Sequence, residues 1–393
     1  MKKIGVIFGG VTCEHDVSIV TGLQLIENAD KSKYEIIPIY IHSNGEWYTG
    51  EKLLDANIYK DFEKVEPTLK KAAILPTKKG LMVFEKGIFA KNSFIDLDVV
   101  IPAMHGMNGE DGTLQGLLEL ANIPYTSSGV LGASVGMDKI LMKKVFEAHK
   151  LPVLPYTYFT RGEYEANKDG VIVEIESKIP YPMFVKPSNL GSSIGITKAK
   201  DREGLIHAIE VAINYDERVI VEKGVENLIE INCSGLGYGN DVEVSVCEEP
   251  VHWEEFLTFE DKYMHGGKSS KGTKQSGMEN MARRIPANIP ETQTKEVQDL
   301  TKAVFKSLNS KGVVRVDYII DKDDEKVYIN EINTIPGSFS FYLWEYSKVS
   351  YKELIDKLVD IAERAWKEKN KNNYSFKSDI IGNITHGAKM GIK

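Results

Sequence analysis

The chain has 393 residues, 42% of them hydrophobic and 27% charged, which is typical of a globular protein and excludes a disordered one. At roughly 150 residues per domain, this length corresponds to two or three domains. The 49 Lys and Arg residues against 57 Asp and Glu give a net charge of -8, which argues against binding nucleic acid or an anionic membrane by bulk charge.

The cysteines and the apolar runs of the sequence indicate in which compartment of the cell the protein is expected. Cys13, Cys233 and Cys247 are widely spaced and form no C-x-x-C pair, which favours a reducing compartment. The sequence has no run of about 18 apolar residues, which a membrane span would need. The first apolar run stops at Gly9-Gly10 and is too short for a signal peptide. We therefore expect a cytoplasmic protein without a membrane partner.

The first third of the chain predicts an α/β fold with a doubly wound parallel sheet. Short β-branched runs predict its strands at 2–8, 34–41 and 97–104. A helix is predicted from Thr113, where leucines recur at helical spacing. Residues 105–112 then form a strand-to-helix loop, which is where such sheets bind ligands.

The rest of the chain predicts helices packed on antiparallel strands. Strands are expected at 181–186, 193–198, 218–223, 230–237, 312–320 and 326–333, the last two forming a hairpin, and helices at 138–150, 201–213, 294–308 and 352–366. We divide the chain into an N-terminal domain (1–125), a central subdomain (126–215), a C-terminal catalytic domain (216–368) and a polar tail (369–393).

Four polar residues of the predicted hairpin are the strongest candidates for chemistry. Arg315 and Asp317 share one face of their strand, as do Glu331 and Asn333 of the next. If the two faces coincide, two carboxylates and an amide oxygen could hold Mg²⁺, and the arginine could stabilise charge on a phosphate or an oxyanion. A surface ladder of ion pairs is the alternative.

Two further segments suggest a nucleotide site. Lys186 ends a strand and precedes a loop of small residues up to Gly195, whose amides and hydroxyls could bind a phosphate. Glu222-Lys223 ends another strand at a turn that could bind an adenine edge, with Glu230 further on for ribose hydroxyls. A Gly/Ser turn and an ordinary strand end are the respective alternatives.

Two loops after predicted strands carry a histidine each. His105 begins the glycine-rich run 105–112, and His15 lies in the run 14–18 that follows the first strand. Either histidine is a candidate functional residue, and capping of a helix is the alternative for both.

Assembled in order, these segments resemble the D-alanine:D-alanine ligase family of the ATP-grasp superfamily, from Lys3 to about Trp366. The resemblance rests on the following motifs: Phe8-Gly9-Gly10, Glu14-His15-x-Val17-Ser18, His105-Gly106, Gly109 to Gly116, Met137-Asp138-Lys139, Val185-Lys186-Pro187, Gly191-Ser192-Ser193, Glu222-Lys223, Arg315-x-Asp317 and Glu331-x-Asn333-Thr334-x-Pro336-Gly337. It implies a Rossmann-like domain followed by a two-part ATP-grasp fold. It also implies an ATP-dependent ligase that makes the D-alanine dipeptide of peptidoglycan through an acyl phosphate.

The resemblance further implies the ligands and the residues that hold them. The cofactors would be ATP and two Mg²⁺ ions, with Mn²⁺ as a substitute, the substrates small amino acids, and a homodimer is common in the family. Residues implied for ATP are Lys139, Lys186, Ser192, Ser193, Glu222, Lys223, Val225, Glu230 and Phe256. Residues implied for the metal are Asp317, Glu331 and Asn333, and those for the amino acids are Glu14, Val17, His105, Lys262, Tyr342 and Leu343. Residues implied for catalysis are Glu14, Ser192, Tyr263, Arg315 and Gly337.

The chain departs from the family in two places. Tyr342 stands where the family usually has a small hydroxyl residue that binds the acceptor carboxylate. The segment 256–263 keeps Lys262-Tyr263 but lacks the usual Tyr-Asp-Tyr, and it begins a glycine-rich stretch, 256–277, that we expect to be a lid. Relatives that use D-lactate or D-serine often have Arg at the position of Leu343, so D-alanine is favoured as acceptor.

Two other functions stay open at this point. An ATP-grasp ligase could join D-alanine or a similar amino acid to D-serine, D-lactate or another acceptor. A regulator without catalysis could bind a nucleotide on the same scaffold, although the intact metal ligands count against it.

Overall fold

A computed structural model describes residues 1–76, 78–85, 87, 91–250, 283–373 and 375. The strands are β1 (Lys2–Gly9), β2 (Tyr34–Ile41), β3 (Trp47–Thr49), β4 (Lys70–Ile74), β5 (Gly80–Phe84), β6 (Ser93–Asp96), β7 (Val99–Pro102), β8 (Tyr156–Thr160), β9 (Met183–Pro187), β10 (Thr197–Ala199), β11 (Arg218–Lys223), β12 (Leu228–Tyr238), β13 (Asp241–Pro250), β14 (Arg283–Arg284), β15 (Lys311–Asp321) and β16 (Lys326–Asn333). The helices are α1 (His15–Asn28), α2 (Phe62–Val65), α3 (Thr113–Leu120), α4 (Val130–Met137), α5 (Lys139–Ala148), α6 (Arg161–Ala166), α7 (Lys168–Lys178), α8 (Arg202–Ala212), α9 (Glu291–Ser307), α10 (Phe341–Tyr346) and α11 (Tyr351–Lys369).

The N-terminal sheet has the strand order β6-β5-β4-β3-β2-β1-β7. Strands β2, β1 and β7 are parallel, as predicted, whereas β3 to β6 extend the sheet with antiparallel pairs. Side chains of β1 alternate between two cores: Ile4 and Phe8 pack with α1 and α11, while Ile7 packs with α3. The sheet is therefore mixed, with helices on both faces, and its parallel part is limited to three strands.

The central sheet is antiparallel, with the order β10-β9-β11-β8, and α7 and α8 cover one of its faces. Strand β11 belongs to this sheet because it pairs with both β8 and β9, although the central subdomain was predicted to end at residue 215. The predicted strand at 193–198 is shorter than expected, since only Thr197–Ala199 is extended and pairs with β9. The residues before it form a loop.

The C-terminal sheet has the order β14-β13-β12-β15-β16, and the predicted β15–β16 hairpin is confirmed. Helices α9 and α5 pack on one face of this sheet through apolar residues such as Phe305 and Phe146. The opposite face contributes Leu236 and Val313 to the core around α11. Because α5 packs on the C-terminal sheet and leads into β8, the first strand of the central sheet, its side chains can reach residues of both.

The three sheets make up a mixed α/β fold. The domain boundaries stay a prediction, and the pairing of β11 shifts the end of the central sheet beyond residue 215, to Lys223. Within the described part of the chain, no helix has the length and apolar composition needed to cross a membrane.

Candidate active site

The hairpin β15–β16 brings its four polar residues together. Arg315 pairs across the ladder with Asn333, and Asp317 pairs with Glu331. The Arg315 Nε and Nη2 atoms donate to the two carboxylate oxygens of Asp317 at 2.6 and 2.7 Å, and Asn333 Nδ2 donates to Asp317 Oδ2 at 3.0 Å. Burial disfavours the charge of Arg315, but Asp317 outweighs this effect and holds the pKa of the guanidinium well above its ordinary value.

The donor set of this hairpin suits a hard divalent cation. Asp317 and Glu331 supply carboxylate oxygens from adjacent strands, and Asn333 supplies an amide oxygen next to them. The described residues include no group of three or more His, Cys, Asp or Glu side chains arranged around a cation. A metal at this hairpin would therefore depend on the Asn333 amide, and it would share the Asp317 oxygens with Arg315.

Helix α5 carries Lys139 toward this hairpin. Asp138 caps the helix by accepting hydrogen bonds from the amides of Ile140 and Leu141 at 3.0 and 2.9 Å. Lys139 Nζ donates to the Leu190 carbonyl at 2.6 Å and lies 3.6 Å from Glu331 Oε2. The first lysine of α5 thus links the loop after β9 to the predicted metal ligands.

Lys186 and Glu222 lie side by side on the central sheet, and a second lysine of α5 joins them. Lys186 Nζ donates to Glu222 Oε2 at 2.6 Å and to Asn330 Oδ1 at 3.3 Å, while Lys143 Nζ lies 3.0 Å from Glu222 Oε1. Burial opposes the charge of Glu222, but the two lysines outweigh it and lower its pKa to about 2. Lys143 was not predicted, although its four-residue spacing from Lys139 places both lysines on one helix face.

Glu14, at the start of α1, and Ser192, in the loop after β9, meet although these segments are connected to different sheets. The Ser192 hydroxyl donates to Glu14 Oε1, and Ser192 and Ser193 both have positive φ values of 53° and 61°. A β-carbon at Gly191 would lie 2.8 Å from Glu14 Oε2, so this close approach requires glycine. A cavity of about 20 Å³ beside Glu14 is also lined by Gly106 and Gly191. That volume holds about one water-sized group.

His105 is buried in a network that reaches the Pro336-Gly337 turn. Its Nδ1 lies 2.8 Å from the Ile335 carbonyl, which only accepts, so Nδ1 carries the proton and Nε2 accepts from the Thr21 hydroxyl at 2.7 Å. Burial lowers the pKa of His105 to about 4, and this keeps the ring neutral. The Ser338 amide donates to the same Thr21 oxygen at 3.2 Å.

Glu110 joins the same two loops and was not predicted as a site residue. Its Oε2 accepts from the Gly106 amide at 3.0 Å, and its Oε1 accepts from the Ile335 amide at 2.7 Å. Burial, reinforced by the nearby charge of Glu14, raises the pKa of Glu110 to about 8. The signals in the sequence were its place in the glycine-rich run 105–112 and in the Gly109 to Gly116 motif.

The segment after Gly337 has an unusual backbone. Ser338, Phe339 and Ser340 have φ values of 49°, 55° and 50°, a left-handed run that β-carbons disfavour. Tyr342 follows it, and its hydroxyl donates to Glu248 Oε2 at 3.0 Å.

The environments of Tyr342 and Leu343 differ. The guanidinium carbon of Arg283 lies 4.2 Å from the centroid of the Tyr342 ring, and Arg283 Nη1 lies 3.3 Å from Glu248 Oε1. Burial and Glu248 raise the pKa of Tyr342 above its ordinary range, so the phenol stays protonated. Leu343 is completely buried in the core against α11.

The remaining predicted residues lie around these clusters. Val17 is half-buried on α1, and Glu230 is exposed on β12. Lys223 ends β11, where its amide donates to the Pro155 carbonyl at 2.9 Å, and Val225 is buried two residues later. Phe256, Lys262 and Tyr263, together with the predicted lid at 256–277, lie outside the described residues.

Comparisons with known proteins show the family to which the chain belongs. Family models of the D-ala D-ala ligase N-terminus and C-terminus match residues 3–128 and 145–360. The D-alanine--D-alanine ligase of Caldicellulosiruptor bescii is 41% identical over 95% of this chain and 98% of its own. The solved D-alanine-D-alanine ligase of Coxiella burnetii is 27% identical with a TM-score of 0.77, covering 94% of this chain and 96% of that one.

A second solved structure is similar to the same degree. The VanG D-Ala:D-Ser ligase of Enterococcus faecalis is 31% identical with a TM-score of 0.76, covering 92% of this chain and 99% of that one. Because both family models and the relatives extend over most of the sequence, the chain belongs to the D-ala D-ala ligase family.

Proposed function

We propose that the chain is an ATP-dependent ligase that joins two D-alanine molecules, in the cytoplasm, for peptidoglycan synthesis. The observation that carries this proposal is the position of Lys139, which lies 3.6 Å from Glu331 and also donates to the loop before Ser192. This lysine connects the predicted phosphate-binding loop to the predicted metal ligands, as a nucleotide-dependent ligase requires. The curated D-alanine ligase at 41% identity supports the same function.

The chemistry follows from the poor reactivity of a carboxylate. Transfer of a phosphate from ATP to the first D-alanine makes an acyl phosphate, and the amine of the second D-alanine then displaces the phosphate. Negative charge develops on the carbonyl oxygen, where Arg315 and the Gly337 amide would stabilise it. Two Mg²⁺ ions, or Mn²⁺, held by Asp317, Glu331 and Asn333 would neutralise the phosphate oxygens.

We assign the other residues as follows. Glu14, linked to Ser192, would bind the ammonium of the first D-alanine, with Val17 and neutral His105 near that substrate. The residues proposed for the nucleotide are Lys139, Lys186, Ser192, Ser193, Glu222, Lys223, Val225 and Glu230. We also propose the three-part division of the chain, with the central subdomain extended to Lys223, and a homodimer that sedimentation velocity can test.

A ligase with another acceptor is the second candidate, because Tyr342 differs from the family. Its phenol is engaged by Glu248 and its ring by Arg283, so a large side chain takes the place of a small hydroxyl residue. The VanG D-Ala:D-Ser ligase shows that a protein 31% identical to this chain uses D-serine.

The test is phosphate release from ATP across a panel of amino acids, supplied singly and in pairs. We expect turnover with D-alanine alone and a D-alanyl-D-alanine product identified by mass spectrometry. Turnover only when a second amino acid is added would support the alternative acceptor. If no amino acid supports turnover but the chain still binds ATP, the result would support a nucleotide-binding regulator without catalysis.

A further inference from the structure

Three buried charged residues, Lys143, Glu222 and Lys186, form a group beside the proposed phosphate-binding residues. Lys186 Nζ donates to Glu222 Oε2 at 2.6 Å, and Lys143 Nζ lies 3.0 Å from Glu222 Oε1. Each oxygen of this carboxylate therefore has a lysine of its own. Lys143 has no exposed surface and Glu222 is 2% exposed.

Three separate elements build this group. Lys186 on β9 pairs with Ile220 on β11, two residues before Glu222, so the Lys186 and Glu222 side chains point to the same face of the central sheet. Lys143 comes from α5, one helical turn after Lys139. Since α5 also packs on the C-terminal sheet, the position of Lys143 relative to Glu222 is set by both sheets.

The group has one lysine more than Glu222 requires, while the carboxylates of Glu331 and Glu230 also act on Lys186 with their negative charge. Two ammonium groups face one carboxylate, and burial lowers the pKa of Lys143 despite the attraction of Glu222. A single lysine would neutralise Glu222, and an apolar side chain at position 143 would pack at a lower desolvation cost. A bound anion would draw Lys186 away from Glu222 Oε2 and leave Lys143 at Oε1 as the partner of that carboxylate, which gives the second lysine a purpose that packing does not.

We propose that Lys143 is a positioning residue of the nucleotide site, which holds Glu222 in place when Lys186 turns from that carboxylate to a nucleotide phosphate. This inference rests on the proposed function. Lys143 contacts Oε1 of Glu222 and Lys186 contacts Oε2. When Lys186 moves away, the buried Glu222 carboxylate therefore still has Lys143 as an ion-pair partner. Lys143 acts only through Glu222, since it has no exposed surface with which to contact the nucleotide.

The test is isothermal titration of the full chain with ATP and Mg²⁺ in the absence of amino acids. For Lys143→Met we expect the Kd for ATP to rise by about tenfold or more, as expected when one partner of a buried ion pair is removed. Lys143→Arg should stay within about threefold of the wild type because it keeps the charge. The matched control is Lys144→Met, which removes the exposed neighbouring lysine that donates to Tyr158 and should leave the Kd within about twofold.

Steady-state kinetics separate positioning from a general loss of structure. We expect Lys143→Met to raise the KM for ATP and to leave the KM for D-alanine within about twofold. A Kd for ATP within twofold of the wild type in Lys143→Met would overturn the inference.

Folding of the variants is checked by thermal melts. If Lys143→Met does not fold, Lys143→Gln replaces it with the same expectation. Failure of both to fold, with Lys143→Arg binding ATP normally, would assign Lys143 to folding and also overturn the inference. A wild-type chain that binds no ATP would contradict the proposed function itself, which keeps the two failures distinct.

Discussion

The Ser192 hydroxyl donates a hydrogen bond to the Glu14 carboxylate across 178 positions of the sequence. This contact joins the loop after β9 to the start of α1, and the adjoining cavity of about 20 Å³ has room for one water-sized group. An amino-acid substrate is larger than that. If the ammonium of an amino-acid substrate binds Glu14, as proposed, we expect the Gly191–Ser193 loop to move to admit it.

Ser192→Ala removes the hydroxyl that closes this contact. We expect kcat/KM for D-alanine to fall by about tenfold to a hundredfold, because one hydrogen bond to a charged group is lost. The control is Ser177→Ala, whose hydroxyl only donates to the Glu174 carbonyl on an exposed helix. Equal activities of the two variants would argue against a role for Ser192 in catalysis.

Asp317→Asn and Glu331→Gln each replace a predicted metal ligand with a neutral side chain of similar size. We expect kcat to fall by at least about a hundredfold in each, since each removes charge from a metal site that stabilises the transferred phosphate. Asp324→Asn, in the exposed turn of the same hairpin, is the control and should retain nearly full activity. Removal of divalent metal with EDTA should abolish turnover, and added Mg²⁺ should restore it. Normal turnover in either ligand variant would remove the metal assignment.

Glu110 predicts a pH dependence of stability. The pKa of Glu110 is raised to about 8 in the folded chain, against an ordinary value of 4.5. Between pH 4.5 and 8, the folded state therefore keeps a proton that the unfolded state has lost. The stabilisation by this proton is complete below pH 4.5 and is lost as the pH rises through 8, with a slope of at most about 1.4 kcal/mol per pH unit.

Glu110→Gln removes the titrating group and keeps one acceptor oxygen, which can bind one of the two backbone amides of Gly106 and Ile335. We expect the loss of stability between pH 5 and 8 to be smaller in this variant than in the wild type, measured by urea unfolding. Glu226→Gln, an exposed carboxylate, should follow the wild-type profile. Parallel profiles for wild type and Glu110→Gln would show that Glu110 ionises normally in the folded chain.

We expect the acceptor preference to depend on Tyr342. Its buried ring occupies volume that a small residue would leave for substrate, so small acceptors should be favoured. We expect kcat/KM to be higher for D-alanine than for D-serine or D-lactate by about tenfold to a hundredfold, which is the usual range of discrimination between substrates that differ by one small group. A preference for D-serine, D-lactate or a bulky amino acid would contradict the D-alanine assignment and leave ATP-dependent ligation intact.

The elements predicted from the sequence are those whose pattern is local. Strands β15 and β16 alternate around a polar turn, and α3 and α11 repeat apolar residues at helical spacing, so each could be predicted from its own residues. Alternation also placed Arg315 with Asp317 and Glu331 with Asn333 on one face of each strand, but only the pairing of the two strands showed that these faces coincide.

Features that depend on contacts between segments far apart in the sequence were decided only by the tertiary structure. The short strands β3 to β6 carry too few residues for a clear pattern, and β11 joins the central sheet only through its pairing with β8 and β9. The proposed roles of Lys143 and Glu110 also depend on burial, because a lysine in a helix and a glutamate in a loop are usually exposed. Lys143 is brought into the candidate site by its contact with Glu222, and Glu110 by its hydrogen bond from the Ile335 amide. Local periodicity determines secondary structure, whereas burial and charge pairing arise only where segments far apart in sequence meet.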